Sequence, residues 1–214
     1  EAEQYYESAL EMQRKLLGTD HPDVAMTLNN LAFVVHDKGD VKTAIQLSRV
    51  SLDTYTRALG ADHPSVARGM SNLAMWTMEV NEFGAAEKLL RGALEVRTRR
   101  LGPEHADTAA TMTLLAGVLI ETGRYDEALR LAADAHVLYL KSLGSKHWNT
   151  ASAASAEGAA RAGLKQFEQA EPLLVDSRTV LHGGTGAATY YLRSSDRWLA
   201  RLYQSTGRPE KAAK

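Results

Sequence analysis

The chain has 214 residues, 44% of them hydrophobic, which is enough for a continuous buried core. Its 25 Lys and Arg residues nearly balance 26 Asp and Glu residues, which argues against a nucleic-acid backbone or a membrane surface as its partner. It has no cysteine, and no apolar run reaches the roughly 18 to 20 residues of a membrane span. Without a signal-peptide pattern either, we expect a cytoplasmic protein, and the absence of an initial Met favours a fragment.

The sequence repeats with a period of 42 residues. Leu-Gly pairs and the histidines that follow them recur in phase: Leu17, Leu59, Leu101 and Leu143, with His21, His63, His105 and His147. An alanine series keeps the same phase: Ala44, Ala86, Ala128, Ala170 and Ala212. A repeat of this length organises the whole fold. We predict one domain, 1–214, comprising a partial repeat (1–16), full repeats (17–58, 59–100, 101–142, 143–184) and a degenerate, truncated repeat (185–214).

Taken in chain order, residues 1–16 are predicted to be the second helix of an incomplete repeat, because the alanine series extends back to Ala2. Residues 17–58 then contain two helices. The first carries apolar residues at three-and-four spacing, namely Val24, Leu28, Leu31, Ala32 and Val35, and ends at the turn 38–40. The second runs from Ala44 to Leu59, where Gly60 suits a left-handed terminal residue.

Later repeats follow the same plan with two departures. Small residues at Ala32, Ala74, Ala116 and Gly158 are expected to face the alanine series and let paired helices approach closely. In the fourth repeat, residues 151–162 are almost all Ala, Ser and Gly. In the fifth, Thr189 replaces the expected histidine, and Arg197 and Arg201 are typical of a solvent-facing end repeat.

These motifs resemble those of a known family. The pattern Leu-Gly-x-x-His-Pro-x-Val-Ala, the segment Leu28-Asn29-Asn30-Leu31-Ala32 and the segment 123–128 resemble the 42-residue tetratricopeptide repeats of kinesin light chains and bacterial signalling proteins. The resemblance covers nearly the whole chain. It implies an all-α fold, a right-handed α-solenoid of stacked antiparallel helix pairs.

Two patterns invite a chemical interpretation. Four histidines in series could suggest metal binding, but residues one repeat apart lie at least about 8 to 10 Å apart, too far to share an ion. We therefore predict structural histidines that bond backbone groups at helix ends. The run Gly183-Gly184-Thr185-Gly186 lacks the Gly-Lys-Ser/Thr ending of a phosphate loop. We expect no metal, no cofactor and no catalysis within this segment.

The first helices of such repeats line an inner groove, and the family's positions can be transferred to this chain. The transferred peptide-binding residues are Asn29, Phe33, His36, Arg68, Ser71, Met75, Met78, Thr113, Glu121, Ser155, Arg197 and Arg201. Polar side chains among them could bond an extended peptide, and Phe33, Met75 and Met78 could receive an apolar anchor. We also expect a groove graded from acidic in the early repeats to basic in the fifth.

The resemblance therefore implies a scaffold that binds a protein or an extended peptide. The alternative is a regulatory or self-association segment of a larger multidomain signalling enzyme, such as a bacterial Ser/Thr kinase. The Asn-Leu-Ala signature of kinesin light chains is kept at Asn30 and Asn72 but is lost at Leu114 and Ala156. The peptide preference of that family is therefore not transferred to this chain.

Overall fold

The computed structural model describes residues 1–184 and 187–213. Within these ranges the chain forms ten α-helices and one short 3-10 helix, with no strand. The helices are α1 (Ala2–Leu17), α2 (Pro22–Asp37), α3 (Val41–Leu59), α4 (Pro64–Glu79), α5 (Phe83–Leu101), α6 (Ala106–Glu121), α7 (Tyr125–Leu143), α8 (Trp148–Gly163), α9 (Phe167–His182) and α10 (Ala187–Ser205). The 3-10 helix spans Pro209–Ala213. Thr185, Gly186 and the side chains of Thr189 and Ala212, which the sequence patterns include, lie outside the described residues.

The helices are grouped in two compact units, Glu1–Pro103 and Glu104–Lys214. In the first unit each helix from α1 to α5 packs on the next along the chain. In the second unit the same holds from α6 to α10, and α6 and α10 also pack on α8. Short loops make consecutive helices antiparallel. The all-α solenoid class is thereby confirmed, whereas the single domain 1–214 and its repeat boundaries stay a prediction.

Small residues lie where paired helices cross. Ala44, Ala86, Ala128 and Ala170 are completely buried, and so are Ala32, Ala74 and Ala116. At Gly158 of α8, an added Cβ would lie 2.9 Å from Leu174 Cγ and 3.1 Å from the Ala170 carbonyl oxygen on α9. Since these distances are shorter than ordinary van der Waals contacts, α8 and α9 pack too closely to admit a side chain there. The predicted close crossing is confirmed.

The four serial histidines each begin a helix. His21, His63, His105 and His147 are the N-cap residues of α2, α4, α6 and α8. In each case imidazole Nδ1 accepts a hydrogen bond of 3.1 to 3.2 Å from the backbone N–H two residues later. The bond satisfies one of the amide groups that a helix start leaves without an intrahelical partner. This confirms the structural role predicted for the series.

Two sets of repeat positions have positive φ. Gly60 has φ 80° and ψ 154°, so it ends α3 in a conformation that is extended rather than left-handed helical, and one that glycine alone tolerates well. The turns after the first helices contain the second set: Gly39, Asn81, Gly123, Lys165 and Gly207. Lys165, at φ 62°, adopts a conformation that a residue with a Cβ disfavours.

We predict that His63→Ala lowers the free energy of unfolding by about 1 kcal/mol, because it removes the N-cap acceptor of α4. His63→Asn should retain most of the stability, since its side-chain oxygen can accept the same backbone hydrogen bond. Urea unfolding followed by circular dichroism measures both. Equal losses in the two variants would contradict the capping role.

We predict that Lys165→Gly raises the free energy of unfolding by roughly 0.5 to 1 kcal/mol, because glycine relieves the positive-φ strain and gives back part of the gain as unfolded-chain entropy. Gly123→Lys is the matched reciprocal variant at the same repeat position, where a Cβ would meet no atom within 4 Å. It should destabilise the protein by a similar amount. Thermal unfolding of both variants is the check, and a lowered midpoint in Lys165→Gly would refute the assignment of strain.

Candidate protein-interaction surface

Side chains join the two first helices of the first unit, α2 and α4. Asn72 Nδ2 donates a hydrogen bond of 2.8 Å to Asn29 Oδ1, across 43 residues of sequence. Both side chains are partly buried. Within the described residues, the remaining side-chain atoms of the pair, Asn29 Nδ2 and Asn72 Oδ1, make no hydrogen bond. This Asn pair therefore retains one donor group and one acceptor for a partner.

Aromatic and apolar side chains border the Asn pair. Phe33 contacts Trp76 edge-on, with ring centroids 5.0 Å apart. Phe33 and Met75 are partly buried and pack against the core residues Ile45, Leu73 and Trp76. Met78 is also partly buried. These side chains form an apolar border beside the Asn pair.

His36 lies at the end of the same surface. Its ring stacks on Trp76 with centroids 4.1 Å apart, and its Nε2 lies 2.7 Å from Glu79 Oε2. The Nδ1 atom lies 3.7 Å from Asp37 Oδ1, and the Asp37 side chain is 83% exposed. The stacking and the Glu79 contact hold the imidazole in place, so Asp37 is the accessible charge at this end.

At the opposite end of α4 a basic side chain is exposed. Arg68 Nη2 donates to the Tyr55 hydroxyl at 2.9 Å, and its guanidinium lies 5.7 Å from the centre of the Tyr55 ring. Arg68 shares its repeat phase with Met26, and Asp37 shares its phase with Glu79. On these two helices Arg68 therefore lies towards the N-terminal end of α4, whereas Asp37 and Glu79 lie at the C-terminal ends of α2 and α4.

Three predicted hydroxyl contacts are turned inward. Ser71, Thr113 and Ser155 are 4%, 4% and 1% exposed. Ser71 and Thr113 donate to carbonyl oxygens of their own helices, those of Ala67 and Ala109. The structure therefore does not bring these three hydroxyls to the surface. Periodicity places a residue on a face of a helix, but the depth at which the side chain lies depends on how the neighbouring helices pack.

In the second unit Glu121 is hydrogen-bonded to two side chains of α10. Its carboxylate accepts 3.0 and 2.9 Å hydrogen bonds from Trp198 Nε1 and Arg201 Nη2, and its side chain is only 9% exposed. Arg197 is exposed and donates to Ser194 Oγ at 3.2 Å. Since Glu121 and Arg201 neutralise each other, the predicted grading from acidic early repeats to a basic fifth repeat is wrong for this pair.

A shallow depression of about 170 Å³ lies beside this ion pair. Its lining includes Tyr125, Ala159, Gly163, Trp198 and Leu202. Small residues of the fourth repeat, Ala159, Ala162 and Gly163, form one side of the depression. A Cβ at Gly163 would lie 2.3 Å from the Tyr125 ring, so the tyrosine occupies the space that a larger residue would need.

A buried polar network in the second unit was not predicted. Glu157 accepts from His136 Nδ1 at 2.8 Å and from Arg161 at 2.8 and 2.9 Å, with its side chain 11% exposed. The hydrogen bond from His136, reinforced by those from Arg161, lowers the pKa of Glu157 below its ordinary value. The sequence does contain a signal for this network, because Glu157 occupies the phase of the core leucines Leu31, Leu73 and Leu115.

The described residues contain no group of three or more His, Asp or Glu side chains arranged to hold a metal ion. None of the helices in the described ranges is long and apolar enough to cross a membrane.

Comparisons with known proteins agree with this architecture. The family model described as Tetratricopeptide repeat matches residues 1–56, 23–83, 66–136 and 107–181. No curated protein matches the chain.

Three solved structures illustrate the likeness in fold. BtubC (BKLC) from P. vanneervenii has a TM-score of 0.71 at 16% identity, over 99% of this chain and 85% of that one. The nearly identical TPR-like repeats classed as kinesin light chain from Podosopora anserina give 0.68 at 23% identity, over 90% and 92%. A Rap protein complexed with Competence and Sporulation Factor gives 0.67 at 13% identity, over 99% and 60%.

We predict that Glu157→Gln destabilises the protein near neutral pH by about 1.5 to 3 kcal/mol, because it weakens charged hydrogen bonds. The pKa of Glu157 is lowered in the folded protein, so its stabilising effect is present above the unfolded-state pKa of about 4.3 and is lost as the pH falls below it. The gap between wild type and variant should therefore narrow on acidification.

Urea unfolding at pH 7 and below pH 4 measures this gap. Glu7→Gln, at an exposed position in the interior of α1 with no ion pair among the described residues, is the control and should change stability little at either pH. A gap of constant size for Glu157→Gln would contradict the assignment.

Proposed function

We infer that the chain, which belongs to the tetratricopeptide repeat family, acts as a protein-interaction scaffold. We propose more specifically that the surface formed by α2 and α4 in the first unit binds an extended peptide segment of a partner protein. The observation that supports this most strongly is the Asn pair, with its remaining donor and acceptor on a partly buried surface.

A backbone peptide group complements the donor and the acceptor that remain on the Asn pair. An extended backbone presents a carbonyl oxygen and an N–H group beside each other. Asn29 Nδ2 can donate to the carbonyl oxygen, and Asn72 Oδ1 can accept from the N–H. Because the two amides are already bonded to each other, their orientation is fixed before the peptide arrives, which reduces the entropy cost of binding. Recognition of backbone groups confers affinity without requiring a particular residue.

The borders of the surface add selectivity. Phe33 and Met75 supply apolar area next to the Asn pair. The exposed Arg68 and Asp37 lie towards opposite ends of the helices. A peptide lying along the helices would therefore place an acidic group near Arg68 and a basic group near Asp37. Arg197 and Arg201, which the sequence also assigned to the groove, are left out of this surface because they belong to the second unit.

The fold comparisons support a binding role of this general kind. The Rap protein, which has a similar fold, is complexed with Competence and Sporulation Factor. The proposal assigns no catalysis to this segment, and it retains the cytoplasmic location expected from the sequence. Attachment to a larger signalling enzyme would be compatible with the same surface, because the surface would then select the partner of that enzyme.

We predict that peptides selected from a random display library on the wild-type chain bind the double variant Asn29→Ala/Asn72→Ala at least tenfold more weakly. The estimate assumes two lost hydrogen bonds of about 1 kcal/mol each. Isothermal titration calorimetry with the purified peptides measures the affinities.

Gln204→Ala is the matched control, since it removes an exposed side-chain amide from α10 in the second unit. It should leave the affinity unchanged. Wild-type affinity in a correctly folded double variant would refute the proposed site.

A further inference from the structure

The second unit contains a pocket of about 230 Å³ between α7, α8 and α9. His136, Ala154, Leu173, Asp176 and Val180 contribute to its lining. The first unit fills the corresponding positions: His136 occupies the phase of Leu52, and Ala154 that of Met70. Leu52 and Met70 both pack against the core there. A leucine is thus replaced by a histidine and a methionine by an alanine, and the space that the methionine would fill is left open.

The change from leucine to His136 is accompanied by a second change, from leucine to Glu157, in the core. Glu157 occupies the phase of buried leucines, and it holds His136 Nδ1 at 2.8 Å while Arg161 bonds its other oxygen. Such a buried charged group is expensive unless it is fully paired, and well-packed apolar residues are often as stable or more so. Leucines at this phase in other repeats show that the fold accommodates an apolar side chain there. The network is therefore better explained by the pocket that it shapes than by stability.

The network also determines what His136 can offer. The lowered pKa of Glu157 keeps its carboxylate ionised, so this group can only accept hydrogen bonds. Nδ1 of His136 is then the donor of the 2.8 Å hydrogen bond, and Nε2, which has no partner among the described residues, can accept one. Asp176, on α9, is exposed and forms no ion pair or hydrogen bond with any described residue. The pocket thus combines apolar side chains with an imidazole nitrogen that can accept a hydrogen bond and an unpaired carboxylate.

We propose that this pocket binds an arginine side chain of a partner protein. The carbon stem would pack against Leu173 and Val180, as the stems of long basic side chains do on apolar surface. The guanidinium would pair with Asp176 and donate to His136 Nε2. Because a guanidinium carries five N–H donors in a planar fork and no acceptor, it complements the Asp176 carboxylate and His136 Nε2, which can both accept. This site is independent of the Asn pair in the first unit.

The test is a titration with N-acetyl-arginine amide, followed through the backbone amide signals of Thr150, Ala151 and Ser177 in two-dimensional NMR spectra. We expect saturable shifts at these residues. N-acetyl-citrulline amide has nearly the same shape without the charge, and it should bind at least fivefold more weakly. Equal binding of the two compounds, or no saturable shift with the arginine compound, would overturn the proposal.

Two variants locate the site. Ala154→Met introduces the residue that two other repeats carry at this phase, so it should fill the pocket and abolish the shifts while the helix content stays unchanged. Asp176→Asn should weaken binding at least fivefold. Wild-type binding by either variant would overturn the assignment. The Asn29→Ala/Asn72→Ala variant should bind the arginine compound normally, so a failure of the peptide surface and a failure of this pocket give different results.

Discussion

The close crossing of paired helices is the constraint on which the other features of each unit depend. Completely buried alanines such as Ala44 and Ala128, and Gly158 where even a Cβ would collide, set how near the two helices of a pair can lie. A larger side chain at a crossing would displace one helix by more than the tolerance of a hydrogen bond. In the first unit the same spacing, repeated in phase, aligns α2 with α4 closely enough for their side chains to pair.

This alignment explains why the interactions of the candidate surface share one sequence offset. Asn29 with Asn72 and His36 with Glu79 are both separated by 43 residues, one repeat plus one position. A second offset of 37 residues links helix ends to loops, through Arg57 with Asp20 and Arg99 with Asp62. Hydrogen bonds of the histidine N-caps fix where α2, α4, α6 and α8 begin. Register, rather than any single strong contact, therefore produces a polar surface of defined geometry.

The sequence predicts the fold almost completely. The 42-residue period, the residues that begin and end the helices and the small residues at the crossings all depend on local chemistry. It predicts the candidate surface less well. Glu121 was assigned to an acidic groove, but Trp198 and Arg201 neutralise it from a distant part of the chain, which periodicity cannot foresee. Ser71 and Thr113 were placed on the correct helices but at the wrong depth. Glu157 replaces a core leucine in one repeat alone, so the pattern that the repeats share does not indicate its role.

We propose that the first unit recognises a partner through side-chain amides that the repeat register holds in place. The most direct test is the NMR spectrum of the Asn side-chain NH₂ groups during titration with a partner peptide. We expect the signals of Asn29 and Asn72 to shift and become protected from solvent exchange, while those of Asn149, at the start of α8, do not move. A saturated complex in which the Asn29 and Asn72 signals keep their free positions would contradict it.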